Sequence, residues 1–249
     1  MRPRPALRQL VTTADSDEAP AAHVPETRFG TWFLGTETWV VHVLERAVAD
    51  LERLIQDRQT SYPVIIDVGC GWGRSFKLLN ERFAPRRLIG VDIDRALLDI
   101  AAAETARHGL AVELRQGSSA RLPLASCSVD MVFCHQTFHH LVDQESAMRE
   151  FHRVLKPGGL LLFAESTKAY IESWMIRLLF RHPMHVQRTA PEYLAMIRAA
   201  GFAVDPRSIS YPYLWWSRSD LGIKEHWLGI APPAARDETL INVVAVRPN

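Results

Sequence analysis

The chain has 249 residues, a net charge of +1, 47% hydrophobic and 23% charged residues, a composition that suits one sizeable globular core. Near-neutral charge excludes a field able to hold a nucleic-acid backbone. No apolar run approaches the roughly 20 residues of a membrane helix, and Cys70, Cys127 and Cys134 are too few and scattered for a disulfide framework, so a cytoplasmic setting is expected.

Residues 1–28 carry Pro, Ala, Thr and acidic residues with little periodicity and read as a disordered or loosely attached tail. A signal peptide lacks its apolar core here, and the acidic residues Asp15, Asp17 and Glu18 disfavour a transit peptide. Residues 29–249 are expected to form one domain. In 29–60, Val40, Val43, Leu44, Ala47, Leu51, Leu54 and Ile55 recur at helical spacing and predict a helical cap. The aromatic residues before it, Phe29, Trp32, Phe33 and Trp39, either pack against the sheet or line a ligand site.

Val64-Ile65-Ile66 is a β-branched run with no polar alternation, ending in Asp67, which suits a parallel strand buried on both faces. Gly69-Cys70-Gly71-Trp72-Gly73 then leads into a helix predicted over 74–83. Glycines let the backbone turn sharply and approach a ligand, and the helix start offers unpaired N–H groups. This makes a cradle for a nucleoside-type ligand. The spacing is not G-x-G-x-x-G, and no Gly-Lys-Ser/Thr follows, which disfavours a nicotinamide cofactor and a P-loop. A second strand at Leu88–Val91 ends at Asp92, a carboxylate placed to accept from two ribose hydroxyls. Asp94 is expected to cap the next helix, which Gly109 closes. Further strands are predicted at Val112–Leu114, Val129–Cys134 and Leu160–Ala164, with a helix capped by Asp143 before the last. Strands alternating with helices predict a doubly wound, mostly parallel sheet with helices on both faces. Ligands of such sheets sit beyond the carboxyl ends of the strands, where Asp67, Asp92, Gly117 and Cys134 fall.

These residues resemble a class I S-adenosylmethionine-dependent methyltransferase, close to the subgroup that includes quinone C-methyltransferases. The likeness rests on Asp67–Gly73, Leu88–Asp92, Gly117–Leu124, Ser128–Leu141 and Arg153–Leu162, and covers about residues 62–165. It implies a Rossmann-like, seven-stranded sheet with an antiparallel last strand, S-adenosyl-L-methionine as cofactor and S-adenosyl-L-homocysteine as product. By the same likeness Asp67, Gly69 and Gly71 border the methionine part, and Cys70 and Gly73 are cofactor-binding residues of the same loop. Asp92 holds the ribose, Ile93 packs on adenine, and Ser118, Ser119 and Cys134 complete the contacts. Ser118 stands where the family often has Asp, so it offers a hydrogen bond without charge.

Residues 166–249 are expected to cover the substrate and supply the last strands. Tyr170–Phe180 predicts a helix, Thr189 and Glu192 form a capping box for another, Phe202–Ser210 is a sixth strand and Ile241–Val246 a last one. Trp174, Tyr211, Tyr213, Trp215 and Trp216 are candidates for an aromatic wall against a flat or apolar acceptor, or else are core. Arg218 and Lys224 are surface charges or a grip for an anionic group. His135, His139 and His140 are the candidate proton acceptors, with His135 first because it directly follows the strand. A metal held by His135 and His139 lacks a supporting carboxylate or Cys pair, so none is expected. The leading expectation is methyl transfer to a small aromatic or apolar metabolite. The alternatives are a catalytically silent cofactor-binding module and a methyltransferase acting on a macromolecule. Nothing in the residues specifies an oligomer.

Overall fold

The structure is a computed structural model that describes residues 12–13, 27–218, 223–231 and 236–249. Most of the predicted N-terminal tail lies outside the described residues. Within that segment Thr12–Thr13 (β1) pairs in parallel with Arg115 and Gln116. The helical cap comprises α1 (Arg28–Leu34), α2 (Glu37–Trp39), a π-helical turn (Val40–Leu44) and α3 (Glu45–Leu54). Thr27 and Thr36 start α1 and α2 by accepting hydrogen bonds from the Gly30 and Trp39 amides. The strand–helix succession follows: β2 (Val64–Val68), α4 (Phe76–Phe83), β3 (Arg87–Asp92), α5 (Arg95–Arg107), β4 (Val112–Gln116), β5 (Val129–His135), α6 (Gln144–Val154) and β6 (Leu155–Ser166). The C-terminal part holds α7 (Lys168–Ile171), α8 (Trp174–Leu179), α9 (Ala190–Ala199), β7 (Ile209–Ser210), α10 (Ile223–Leu228) and β8 (Leu240–Val246).

These strands form one sheet in the order β1-β4-β3-β2-β5-β6-β8-β7. β8 runs antiparallel to both β6 and β7, and the other pairings are parallel. The doubly wound sheet with a reversed last strand is therefore as expected, with the short β1 added at one edge.

Two apolar layers explain why the strands read as continuous hydrophobic runs. Ile65, Met131, Phe133 and Leu162 face Val48, Leu51, Phe76, Leu79 and Leu98, from α3, α4 and α5. Their chain neighbours Ile66, Val132, Leu161 and Phe163 face Met148, Phe151, Tyr193 and Ile197, from α6 and α9. Alternate residues thus serve opposite helix layers, and polar alternation has no place in such a strand.

Polar ties fix the strand starts and the edge. Asp130 accepts from the Val64 amide at 2.8 Å and from Lys156 Nζ at 2.8 Å, joining β2, β5 and β6. Asp50 of α3 accepts from Asn242 Nδ2 at 2.8 Å and from the Ser210 hydroxyl. Asp94 caps α5 and Asp143 caps α6, as read from sequence, and the Thr189–Glu192 capping box opens α9.

Two element predictions need correction. The helix expected over Tyr170–Phe180 is broken into α7 and α8, with Ser173 in extended conformation between them. The strand expected over Phe202–Ser210 is a single bridge, Ala203 to Val246, followed by a 3-10 turn at Pro206–Ser208 and then β7. Pro206 has no N–H to give a ladder, and Asp205 accepts from the Arg207 amide at 2.8 Å, so the turn wins locally. Among the described residues no helix is long and apolar enough to cross a membrane.

Candidate functional site

The carboxyl ends of β2, β3, β4 and β5 open into a cavity of about 410 Å³, within the size range of small-ligand sites. Its floor is the glycine loop. Gly71 lines the cavity at φ 50° and a Cβ there would meet nothing within 4 Å, so it faces the open cavity. Gly69 and Gly73 are needed for a different reason. A Cβ on Gly69 would fall 2.1 Å from Thr137 Cγ2, and one on Gly73 would fall 2.5 Å from the Phe76 ring. Gly73 is thus a packing residue behind the loop.

Asp92, at the end of β3, accepts from the Gly71 amide at 2.8 Å through Oδ2 and from the Asp94 amide at 2.9 Å through Oδ1. One carboxylate therefore both faces the cavity and holds the loop's shape. Asp67 is buried at the end of β2 and accepts the Ser75 hydroxyl. Burial, with a smaller push from Asp92, raises its carboxyl to about 7 against the Ser75 bond; losing water disfavours the charged form. Burial also drives the Cys70 thiol well above its usual range. Ile93, Leu97, Ser118 and Ser119 also line the cavity. Ser118 Oγ accepts from the Ala120 amide at 3.2 Å.

The turn after β5 forms the opposite wall. Gln136 stands at φ 50°, a region that costs a non-glycine residue about 1–3 kcal/mol and marks an over-determined site. Its amide donates to Ala164 O at 2.9 Å, and Ser166 Oγ donates to its side chain at 2.6 Å. Glu165, fully buried at the end of β6, gathers the turn: it accepts from the Thr137 amide (2.9 Å), the Phe138 amide (2.7 Å) and His139 Nδ1 (2.7 Å). Glu165 was not singled out from sequence, although an acidic residue closing the apolar run Leu160–Ala164 is itself the signal of a committed buried charge.

The three histidines separate. His135 and His140 line the cavity, while His139 lies behind it on Glu165. His135 packs against Trp39 at 5.5 Å and Phe133 at 6.0 Å between ring centroids, and its Nε2 has no hydrogen-bond partner among the described residues. Burial, then the neighbouring His139, pulls His135 down to about 3. It is neutral at physiological pH and a weak proton acceptor, which departs from its place as first candidate base. Cys134 is placed off the cavity, its Sγ 3.8 Å from Glu165 Oε1.

Beyond His135 and Gln136 lies a second cavity of about 330 Å³, which those two residues share with the first. Tyr211, Leu214 and Trp216 line it with Val43, Arg46 and Leu240. The predicted aromatic wall therefore splits. Trp216 donates to His42 O at 3.0 Å and meets Tyr170 edge-on at 5.6 Å. Tyr213 lies under Arg218 and Arg236 instead, and Arg218 also pairs with Glu225. Trp215 and Trp174 are exposed. At the N-terminus Phe29 and Phe33 pack against Phe180, whereas Trp39 lines the main cavity with Trp72.

A Rossmann-like sheet with a strand-end carboxylate, a glycine loop and a cavity at its carboxyl edge defines a doubly wound α/β protein. Comparison with known proteins narrows the class. Residues 66–163 match the family described as "Methyltransferase domain". Demethylmenaquinone methyltransferase of Deinococcus radiodurans is 28% identical over 188 residues, 66% of this chain and 74% of that protein. Malonyl-(acyl-carrier protein) O-methyltransferase 1 of Coxiella burnetii is 29% identical over 179 residues, 70% of this chain and 60% of that protein. The YcgJ protein of Bacillus subtilis shares the fold with a TM-score of 0.62 at 20% identity, covering 82% of this chain and 99% of that one. The cyclase SpnF does so with a TM-score of 0.60 at 22% identity, covering 82% and 80%; at such identities the likeness shows the fold alone. The chain spans about half the length of the first curated relatives it matches. Residues 66–163 are thus a methyltransferase-type domain, similar to that of class I S-adenosylmethionine-dependent methyltransferases.

Proposed function

We propose that this protein transfers a methyl group from S-adenosylmethionine to a small apolar or aromatic acceptor held in the second cavity. The observation that carries the reading is the meeting of the two cavities at His135 and Gln136, so that two ligands would share one wall. The residues present fit the cofactor. A Cβ-free approach at Gly71, the Asp92 carboxylate and the apolar Ile93 and Leu97 face the same space, and these suit a backbone close approach, ribose hydroxyls and an adenine face. Asp67, poised near neutrality, suits the cationic methionine end.

When bound, the cofactor would supply a sulfonium-activated methyl carbon that an acceptor atom attacks in line, the new bond to carbon forming as the carbon–sulfur bond breaks and S-adenosylhomocysteine leaves. The chain's contribution is orientation, a term worth roughly 7–11 kcal/mol when geometry is ideal. Trp39, Phe133 and neutral His135 pack ring against ring at the junction. Gln136 presents its amide side chain there, braced by Ser166. Tyr211, Leu214 and Trp216 offer the acceptor an apolar wall, and Arg46 a cation. Residues 29–60 and 166–249, which supply most of that second cavity, are the acceptor-covering elements of this reading. Three free thiols fit the reducing cytosol in which we place it.

Calorimetric titration with S-adenosylmethionine, S-adenosylhomocysteine and NAD tests the cofactor half. Binding of the first two at micromolar strength and none of NAD is expected; no binding of either would overturn the reading. Labelled methyl transfer to a panel of phenols, quinols and acyl thioesters tests the acceptor half, with quinols or phenols expected to accept.

A further inference from the structure

His139, His140 and His182 each bring one ring nitrogen to within 4.8 Å of the others. Their ring centroids lie 4.3 Å (139–140), 5.1 Å (139–182) and 4.8 Å (140–182) apart. From this juxtaposition we propose that the three histidines form a divalent transition-metal site of the zinc type, with Glu165 as the outer partner that orients His139. The proposal goes beyond the methyl-transfer reading and does not depend on it.

Three independent features point the same way. Three imidazoles are a sufficient donor set for zinc with a fourth position left open. The His139 Nδ1–Glu165 Oε2 contact of 2.7 Å is the carboxylate–imidazole arrangement that fixes a ligating histidine's tautomer and turns its other nitrogen, Nε2, toward a metal. Glu165 is itself held by two backbone amides and is fully buried, so the orienting group cannot swing away.

Tetrahedral zinc with bonds of about 2.1 Å places its nitrogens about 3.4 Å apart, so binding draws the cluster inward. The adjustment falls on His140 and His182, which are half-buried, rather than on the buried His139. His182 sits in the connection after α8, whereas the other two lie on the turn after β5. A metal would therefore clamp the segment that follows α8 onto the cavity wall, because His140 lines the cavity. Sequence spacing could not show this, since the third histidine comes from a distant segment. The expectation of no metal considered only His135 and His139, and His135 is outside the cluster.

The test uses tag-free, chelator-treated protein titrated with zinc, with cobalt as a spectroscopic substitute. One zinc per chain at micromolar strength or better is expected, with a visible cobalt band of low-symmetry nitrogen coordination. His182→Ala should weaken zinc by about 100-fold or more, the upper end of what even an outer partner contributes, and His182→Cys should restore most of it. The circular dichroism spectrum and thermal melting midpoint of the metal-free protein serve as the folding control and should stay close to wild type in both variants. Wild-type protein that takes up no zinc, or a His182→Ala variant that binds it like wild type, would overturn the site. Failure of the cofactor titration alone would leave the metal result standing.

Discussion

The two cavities differ in how the chain builds them. The larger one is made mostly by strand ends and the loops that directly follow them, with Trp39 and Leu44 added from the helical cap, and its polar groups bond mostly within those ends and loops. Asp92 holds Gly71 and Asp94, Asp67 holds Ser75, and Ser118 holds Ala120. The smaller one takes Val43 and Arg46 from the helical cap, Tyr211, Leu214 and Trp216 from the connection after β7, and Leu240 from β8. A site assembled by local motif is specified by backbone shape and tolerates little change. A site assembled from separate segments is specified by side-chain packing, and can be altered piece by piece while the first site persists. One fold can in this way keep a cofactor and exchange acceptors.

The sharpest way to break this separation is Gly71→Val, which fills the ligand space from the backbone. Cofactor binding measured by calorimetry should disappear, while stability falls only by the cost of a β-branched residue in left-handed backbone, on the order of 1–3 kcal/mol. A variant that still saturates would refute the loop's role. Asp92→Asn should weaken cofactor binding about ten- to a hundredfold, the worth of roughly 1.5–3 kcal/mol for hydrogen bonds to a charged acceptor. Because Asp92 also holds the Gly71 and Asp94 amides, a modest loss of thermal stability should accompany it.

Asp67 supplies a pH signature. Its carboxyl is raised to about 7, so it becomes protonated as pH falls through neutrality and loses its attraction for a cationic ligand. Affinity for S-adenosylmethionine should drop by up to about tenfold per pH unit below 7, one proton per ligand, and Asp67→Asn should flatten that slope. The stability sign is opposite. A carboxyl raised in the folded state favours folding below its unfolded value near 4 and loses that contribution as pH rises through about 7. Asp67→Asn should therefore stabilise the ligand-free protein at pH 8 and not at pH 4, as thermal melts at the two values would show.

The smallest effect sharpens the other side of the comparison. Trp216→Phe removes the bond to His42 O and should cost about 1 kcal/mol in denaturant unfolding, with cofactor affinity within twofold. A larger loss of cofactor affinity would mean that the two cavities are energetically one.

Much of this was legible in the residues. The unbroken apolar strands, the glycine loop, the Asp92 position and the caps at Asp94, Asp143 and Thr189 all follow from local rules of period, turn and capping. Local rules also explain the errors. Ser173 interrupts a helical pattern that the apolar residues on either side would extend, and Pro206 interrupts a strand. The placement of the histidines was not legible. His135, His139 and His140 share one short segment, yet the turn sends one to the junction of two cavities, one onto Glu165 and one to the cavity wall.

What the sequence alone determined is therefore the part written in neighbouring residues, a doubly wound sheet and the glycine loop with its strand-end carboxylates, while the reversed last strand was an implication of the family resemblance. Tertiary structure alone decided which aromatic residues form the second cavity, that burial sets His135 near 3 and Asp67 near 7, and that His182 joins His139 and His140. The physical reason is range. Backbone dihedrals, capping and hydrophobic period act within a few residues, whereas desolvation and the meeting of distant side chains depend on how whole layers pack.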